Sequence, residues 1–182
     1  MTSVFLQSIP TFVRQYRDFV IKQGIPLLFL VLFLLTACKE EQTTGAGKVR
    51  WDREICARCA MAISDPNYSA QIRGGRADKK AKLYKFDDLG CAVTWLDEQT
   101  WKDDPRTEIW VNHHKTGDWI PAKTAWYVKT KNTPMDYGLG AQTEKVEGAL
   151  NYEQAVMYIY TVEKRFNAHT GQPIVEPAGA KQ

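Results

Sequence analysis

An apolar run over residues 25–35 follows a basic start, Arg14, Arg17 and Lys22, and ends in Leu35-Thr36-Ala37-Cys38. At about 11 residues the run is short for a membrane span and the right length for the core of a signal peptide. The four residues that close it read as a bacterial lipobox, with small residues ahead of a cysteine that becomes the acylated N-terminus. This pattern constrains everything downstream. It removes residues 1–37 from the folded protein and sends the rest to an oxidising compartment. It also commits Cys38 to lipid. Of the four cysteines, Cys56, Cys59 and Cys91 then remain, an odd number. An odd set of thiols under oxidising conditions leaves at least one unpaired, or held by a metal.

The exported part, residues 38–182, is long enough for one domain with a real core. Removing the signal takes away three basic residues and one acidic one, so the formal charge falls from +3 to +1. Such a balance gives no basic footprint for nucleic acid. Acylation of Cys38 implies stable anchoring on the periplasmic side of a membrane. Lys39 follows it where an aspartate would signal inner-membrane retention, which points to the outer membrane.

Residues 38–54 read as the lipidated cysteine and a flexible polar tether containing Gly45-Ala46-Gly47. Alternation predicts strands over 68–73 and 82–86, with Gly74-Gly75 between them. Asp87 or Asp88 caps a helix running to about Gln99, with Leu89, Ala92, Val93 and Leu96 as its core stripe. Cys91 lies nearly opposite that stripe, beside Trp95, so this flank covers something else, such as a loop. Further strands are expected over 108–113, 124–131 and 138–141. Asn151 and Gln154 form a capping box for a last helix whose buried stripe is Ala155, Ile159, Val162 and Phe166. Residues 168–182 read as a mobile tail. The class is α+β.

The chemistry concentrates in Cys56-Ala57-Arg58-Cys59-Ala60-Met61. Two thiols and a thioether within six residues form a soft donor set, which favours Cu(I) over harder ions. A thioether is a poor zinc ligand, and a zinc site would need another pair. His113-His114 is the only candidate, and neighbours on a strand point to opposite faces. A thiol–disulfide oxidoreductase using Cys56 and Cys59 is the alternative. It would need the dithiol at a helix start after a buried strand, and a cis-proline, which Thr133-Pro134 could imitate. The charged run over 48–54 and the stop at Asp65-Pro66 oppose it.

The ordered set Leu35-Thr36-Ala37-Cys38, Cys56-x-x-Cys59-x-Met61, Tyr84-Lys85-Phe86-Asp87-Asp88-Leu89-Gly90-Cys91, Trp119-Ile120 with Ala125, and Thr133-Pro134-Met135 with Tyr137-Gly138 resembles the NosL family. These are copper lipoproteins of nitrous oxide reductase maturation. The resemblance implies two similar strand-strand-helix-strand halves in one compact domain over 55–167. It implies Cu(I) binding without catalysis, and delivery toward the copper–sulfide centre of nitrous oxide reductase through a membrane ABC-type assembly complex. Carried over by motif, the copper ligands are Cys59, Met61, Met135 and Cys56. Many relatives have glycine where this chain has Ala60.

Overall fold

The computed structural model describes residues 42–170. The signal segment, Cys38 and the chain beyond Thr170 lie outside them. Among the described residues six strands and two helices form an α+β fold in the order β1 (Ala70–Gly74), β2 (Lys82–Phe86), α1 (Leu89–Asp97), β3 (Glu108–Asn112), β4 (Trp119–Pro121), β5 (Trp126–Lys129), β6 (Leu139–Gln142) and α2 (Tyr152–Thr170). The first half follows the expected strand-strand-helix-strand order. Among the described residues the second half places three strands, β4, β5 and β6, before its helix.

Strands β2, β1, β3 and β4 form one antiparallel sheet in that spatial order, and β5 and β6 form a separate antiparallel pair. A bridge from His113 to Ala141 joins the end of β3 to β6. As expected, β2 spans 82–86 and pairs with β1. Strand β4 is an addition to the expected set. It is three residues long and ends in Pro121, which sits at the sheet edge where no ladder N–H is needed. Strand β5 is shorter than expected because Ala122–Thr124 winds into a 3-10 turn.

Central β1 is buried on both faces, polar residues included. Alternation puts Ala70 and Ile72 on the core side with Ala92 and Val93 of α1. Gln71 and Arg73 face the other way, where a segment around Gly45 and Gly47 crosses the sheet. Gly47 N–H donates to Gln71 Oε1 at 2.7 Å, and Gln71 Nε2 returns a bond to the Gly47 carbonyl at 2.8 Å. Arg73 Nε donates to the Gly45 carbonyl at 3.0 Å, and Gly45 N–H donates to Glu108 at 2.7 Å. These reciprocal bonds satisfy two buried polar side chains that would otherwise destabilise the sheet. From Gly45 onward the chain is therefore a pinned strap. The flexible tether expected over 38–54 does not extend that far.

Both helix starts follow the sequence signals. Asp88 caps α1 by accepting from Gly90 N–H at 3.0 Å. Asn151 and Gln154 exchange the two bonds of a capping box at 3.0 and 2.9 Å. Leu89, Ala92, Val93 and Leu96 are buried as expected, and so are Ala155, Ile159 and Val162, while the side chain of Phe166 lies outside the described residues. Helix α2 runs through Thr170, past the expected start of the tail at 168. No helix among the described residues is long and apolar enough to cross a membrane.

Gly90 fixes the approach of another segment. The buried ring of Tyr137 lies where a Cβ on Gly90 would stand. Replacing Gly90 with alanine gains under about 1 kcal/mol of helix propensity. Overpacking against Tyr137 costs about 1–3 kcal/mol. Gly90→Ala is expected to lower the unfolding free energy by a net ~1–2 kcal/mol, read in equilibrium unfolding as a lower denaturant midpoint with an unchanged slope.

Candidate metal centre

Residues 52–63 form a short hairpin. Asp52 N–H donates to the Ile63 carbonyl and Ile63 N–H to the Glu54 carbonyl, both at 2.9 Å. Ile55 bridges Ala62, and Cys56 N–H donates to the Met61 carbonyl at 2.8 Å. Ala60 N–H closes the tip on the Cys56 carbonyl at 3.1 Å. This closure puts Ala60 in the left-handed region, at φ 61°. Asp and Asn tolerate that region, and they occupy the three other non-glycine positive-φ positions among the described residues. Alanine gains nothing there to offset its Cβ.

The hairpin is fastened to the sheet. Ala57 N–H donates to the Lys85 carbonyl of β2 at 2.9 Å, and Lys85 Nζ reaches Glu54 Oε2 at 2.7 Å. Strand β2 then runs into Asp87, Asp88 and the first turn of α1. Cys91, four residues after Asp87, turns back toward the hairpin. On the second flank of α1, Cys91 thus faces the Cys56–Cys59 loop, while Trp95 packs on Tyr84 and Phe86 of β2.

Cys56, Cys59, Asp87 and Cys91 form a group that can hold a metal ion. Their ligand atoms all lie within 4.8 Å of one another. Cys56 and Cys91 are buried, Cys59 is half-buried at the rim, and none is in a disulfide. Sequence reasoning found the two cysteines of the hairpin and missed the other pair. It assigned Asp87 and Asp88 jointly to capping, whereas Asp88 alone caps α1. Asp87 lies ahead of the N-cap and outside α1, so no helical spacing links it to Cys91, and the turn from β2 into α1 brings the two together.

The thioethers stand differently. Met61 anchors the hairpin through its carbonyl, while the residue is 51 % exposed. Met135 is half-buried against the core, and its N–H donates to Asp88 Oδ2 at 3.4 Å. Its loop is thereby tied to the residue next to Asp87. His113 and His114 take no part in the cluster. Their rings do not point to opposite faces but stack, with centroids 5.7 Å apart, because β3 ends at Asn112 and strand alternation ends with it.

The site is electrostatically graded. The Cys56 thiol is pulled down to about 6, chiefly by a hydrogen bond from the Cys91 thiol and against the effect of burial. Backbone N–H groups of Cys59, Asp87 and Arg58 add to it. Cys91 is pushed far up by the same bond to Cys56 and by burial. Burial, then the bonds to Cys56 and Asp87, pushes Cys59 up to about 12. Its S–H donates to Asp87 Oδ2 at 3.3 Å. At neutral pH one thiolate, Cys56, therefore sits among two thiols. Arg58, between the paired cysteines, donates to Tyr137 Oη at 3.0 Å and pairs with Glu163 of α2 at 3.1 Å. Tyr137 in turn donates to Glu163.

No protein-family model matches the chain, and no curated protein matches it.

Relieving the strained tip is expected to help. Ala60→Gly should stabilise the fold by about 1 kcal/mol, since a left-handed non-glycine residue costs about 1–2 kcal/mol and glycine gives part of that back as chain entropy. Thermal unfolding of the reduced protein checks this. The thiol grading sets a proton inventory as well. A soft ion bound by all three sulfurs at pH 7.5 should release about two protons, from Cys59 and Cys91, rising toward three as pH falls through about 6 and Cys56 protonates. Calorimetry in buffers of different ionisation enthalpy counts them.

Proposed function

We propose that the chain is a Cu(I)-binding lipoprotein of the NosL type. It is a metallochaperone without turnover, held on the periplasmic side of the outer membrane by acylated Cys38. Its cargo goes toward the copper–sulfide centre of nitrous oxide reductase, through a membrane ABC-type assembly complex. One observation carries the metal part of this reading: Cys56, Cys59 and Cys91 converge on one point although they come from two separate elements. Three sulfurs suit monovalent copper, which accepts two or three soft ligands. The ordered motifs of the sequence support the destination.

The layout also suits hand-over. Cys56 and Cys91 are buried, while Cys59 and Met61 reach the rim. An incoming donor can approach at Cys59 before the inner sulfurs let go. Met61 and Met135 are the added thioether ligands in this reading. Lipid anchoring would raise the local concentration of carrier at a membrane acceptor.

A dithiol oxidoreductase fits less well. The depressed Cys56 thiol is what such chemistry needs. The motif nevertheless sits on a hairpin and not at a helix start. All peptide bonds among the described residues are trans, so Thr133-Pro134 does not supply the cis-proline.

Cys91→Ser is expected to weaken Cu(I) binding at least about tenfold, or about 1.4 kcal/mol, in competition with a chromophoric chelator. In cells, Cys59→Ser should leave nitrous oxide reductase short of copper. Full loading of the reductase in that strain would defeat the delivery role, and an unchanged chelator titration would remove Cys91 from the site.

A further inference from the structure

The strap covers only half of the outer face of the four-stranded sheet. It crosses β1 at Arg73 and Gln71 and reaches β2, where Gly47 lies against Leu83. The other half, on β3 and β4, is left to Trp110, Pro121 and Trp119. Register puts all three on the side away from the core. Trp110 stands between Gln71 and Pro121, and Trp119 pairs with Asn112, two residues along from Trp110. Pro121 is exposed and both tryptophans are half-buried, and neither ring is among the described residues packed against the core. The Trp119 indole N–H has no protein partner among the described residues, so its acceptor comes from outside the chain.

The polypeptide enters the domain beside this patch. Glu108 Oε2 accepts both the Gly45 N–H, at 2.7 Å, and the Trp110 indole N–H, at 3.0 Å. Gly45 lies seven residues after Cys38. Fully extended, that length reaches at most about 25 Å. Acyl chains on Cys38 would therefore keep a bilayer within this distance of Trp110. Rings with an apolar body and one polar edge are what the headgroup layer of a membrane receives. We infer that Trp110, Pro121 and Trp119 form the face with which the anchored domain rests on the headgroup layer of its own membrane. The inference rests on the acylated Cys38 of the preceding section and adds an orientation to it. Helix α1 packs on the opposite side of the sheet. The thiol hairpin is bonded to β2, the edge farthest from β4 and about 14 Å across the sheet from it. Contact with lipid through the tryptophan face thus leaves Cys59 and Met61 open to an acceptor in the aqueous phase.

The test uses the full acylated chain in vesicles of phosphatidylethanolamine and phosphatidylglycerol, with and without bromine placed high on the lipid chains. Bromine quenches tryptophan emission only at close range, so emission of the unmutated protein is expected to fall in the brominated vesicles. The double variant Trp110→Phe/Trp119→Phe should lose more than about half of that quenching, because it removes the two rings at the interface. Trp126→Phe, on β5 of the separate strand pair, should leave the quenching in place. No quenching of the unmutated protein, or undiminished quenching of the double variant, overturns the assignment. Should the double variant fail to fold, hydroxyl-radical labelling of the unmutated protein on the same vesicles decides. Trp119 oxidised more slowly than the equally half-buried Trp126 supports the contact, and equal rates overturn it. A dimer that the double variant dissolves, with no quenching, overturns it in favour of a second copy of the chain. An acylated chain that binds vesicles without quenching sinks this inference alone. A chain that carries no acyl group and stays off the vesicles sinks the lipoprotein reading with it.

Discussion

One backbone hydrogen bond holds the site together. Ala57 N–H on the Lys85 carbonyl ties the cysteine hairpin to the strand that leads into Asp87 and Cys91. With the Cys59–Asp87, Lys85–Glu54 and Arg58–Glu163 contacts, it gives two thiols on a loop and one on a helix a common frame. Lys85 reinforces the joint from its side chain, reaching both the Lys48 carbonyl at 2.7 Å and Glu54. A single residue of β2 thus organises the strap, the hairpin and the approach to α1. The rim is held separately. Arg58 leaves the hairpin and fastens it to Tyr137 and Glu163, so the loop carrying Met135 and the helix α2 share the boundary of the site.

Much of this architecture was legible from local chemistry. The span of β2, the buried stripe of α1 and the capping box of α2 follow from alternation, helical spacing and two side chains that complete each other's bonds. What escaped was set by tertiary contact. Strand β4 exists because β3 pairs with it through Trp110, Val111 and Asn112, and no periodicity can form in three residues. The stacking of His113 on His114 depends on where β3 stops. The strap looked like a tether because glycines are permissive, and its partners, Gln71 and Arg73, looked like the solvent face of an ordinary strand.

The candidate metal centre divides along the same line. Cys56 and Cys59 announce themselves by spacing. Asp87 and Cys91 were visible as residues, but their roles were not, because Asp87 stands beside a genuine capping residue and Cys91 lies off the apolar stripe. Both aspartates are buried, and their hydrogen-bond partners separate them. Asp88 spends its oxygens on Gly90 and Met135, and is pushed up to about 6 by its enclosure. Asp87 turns one oxygen to a thiol and leaves the other without a partner.

The strap has a mechanical consequence. Tension on the chain ahead of Gly45 would meet Glu108, Arg73 and Gln71 before it reached residue 52. These bonds run from the strap to the central strand and its neighbour, so the load would spread across the sheet. The thiol hairpin is thereby insulated from whatever pulls on the leading segment, and its geometry need not change when the protein is tugged.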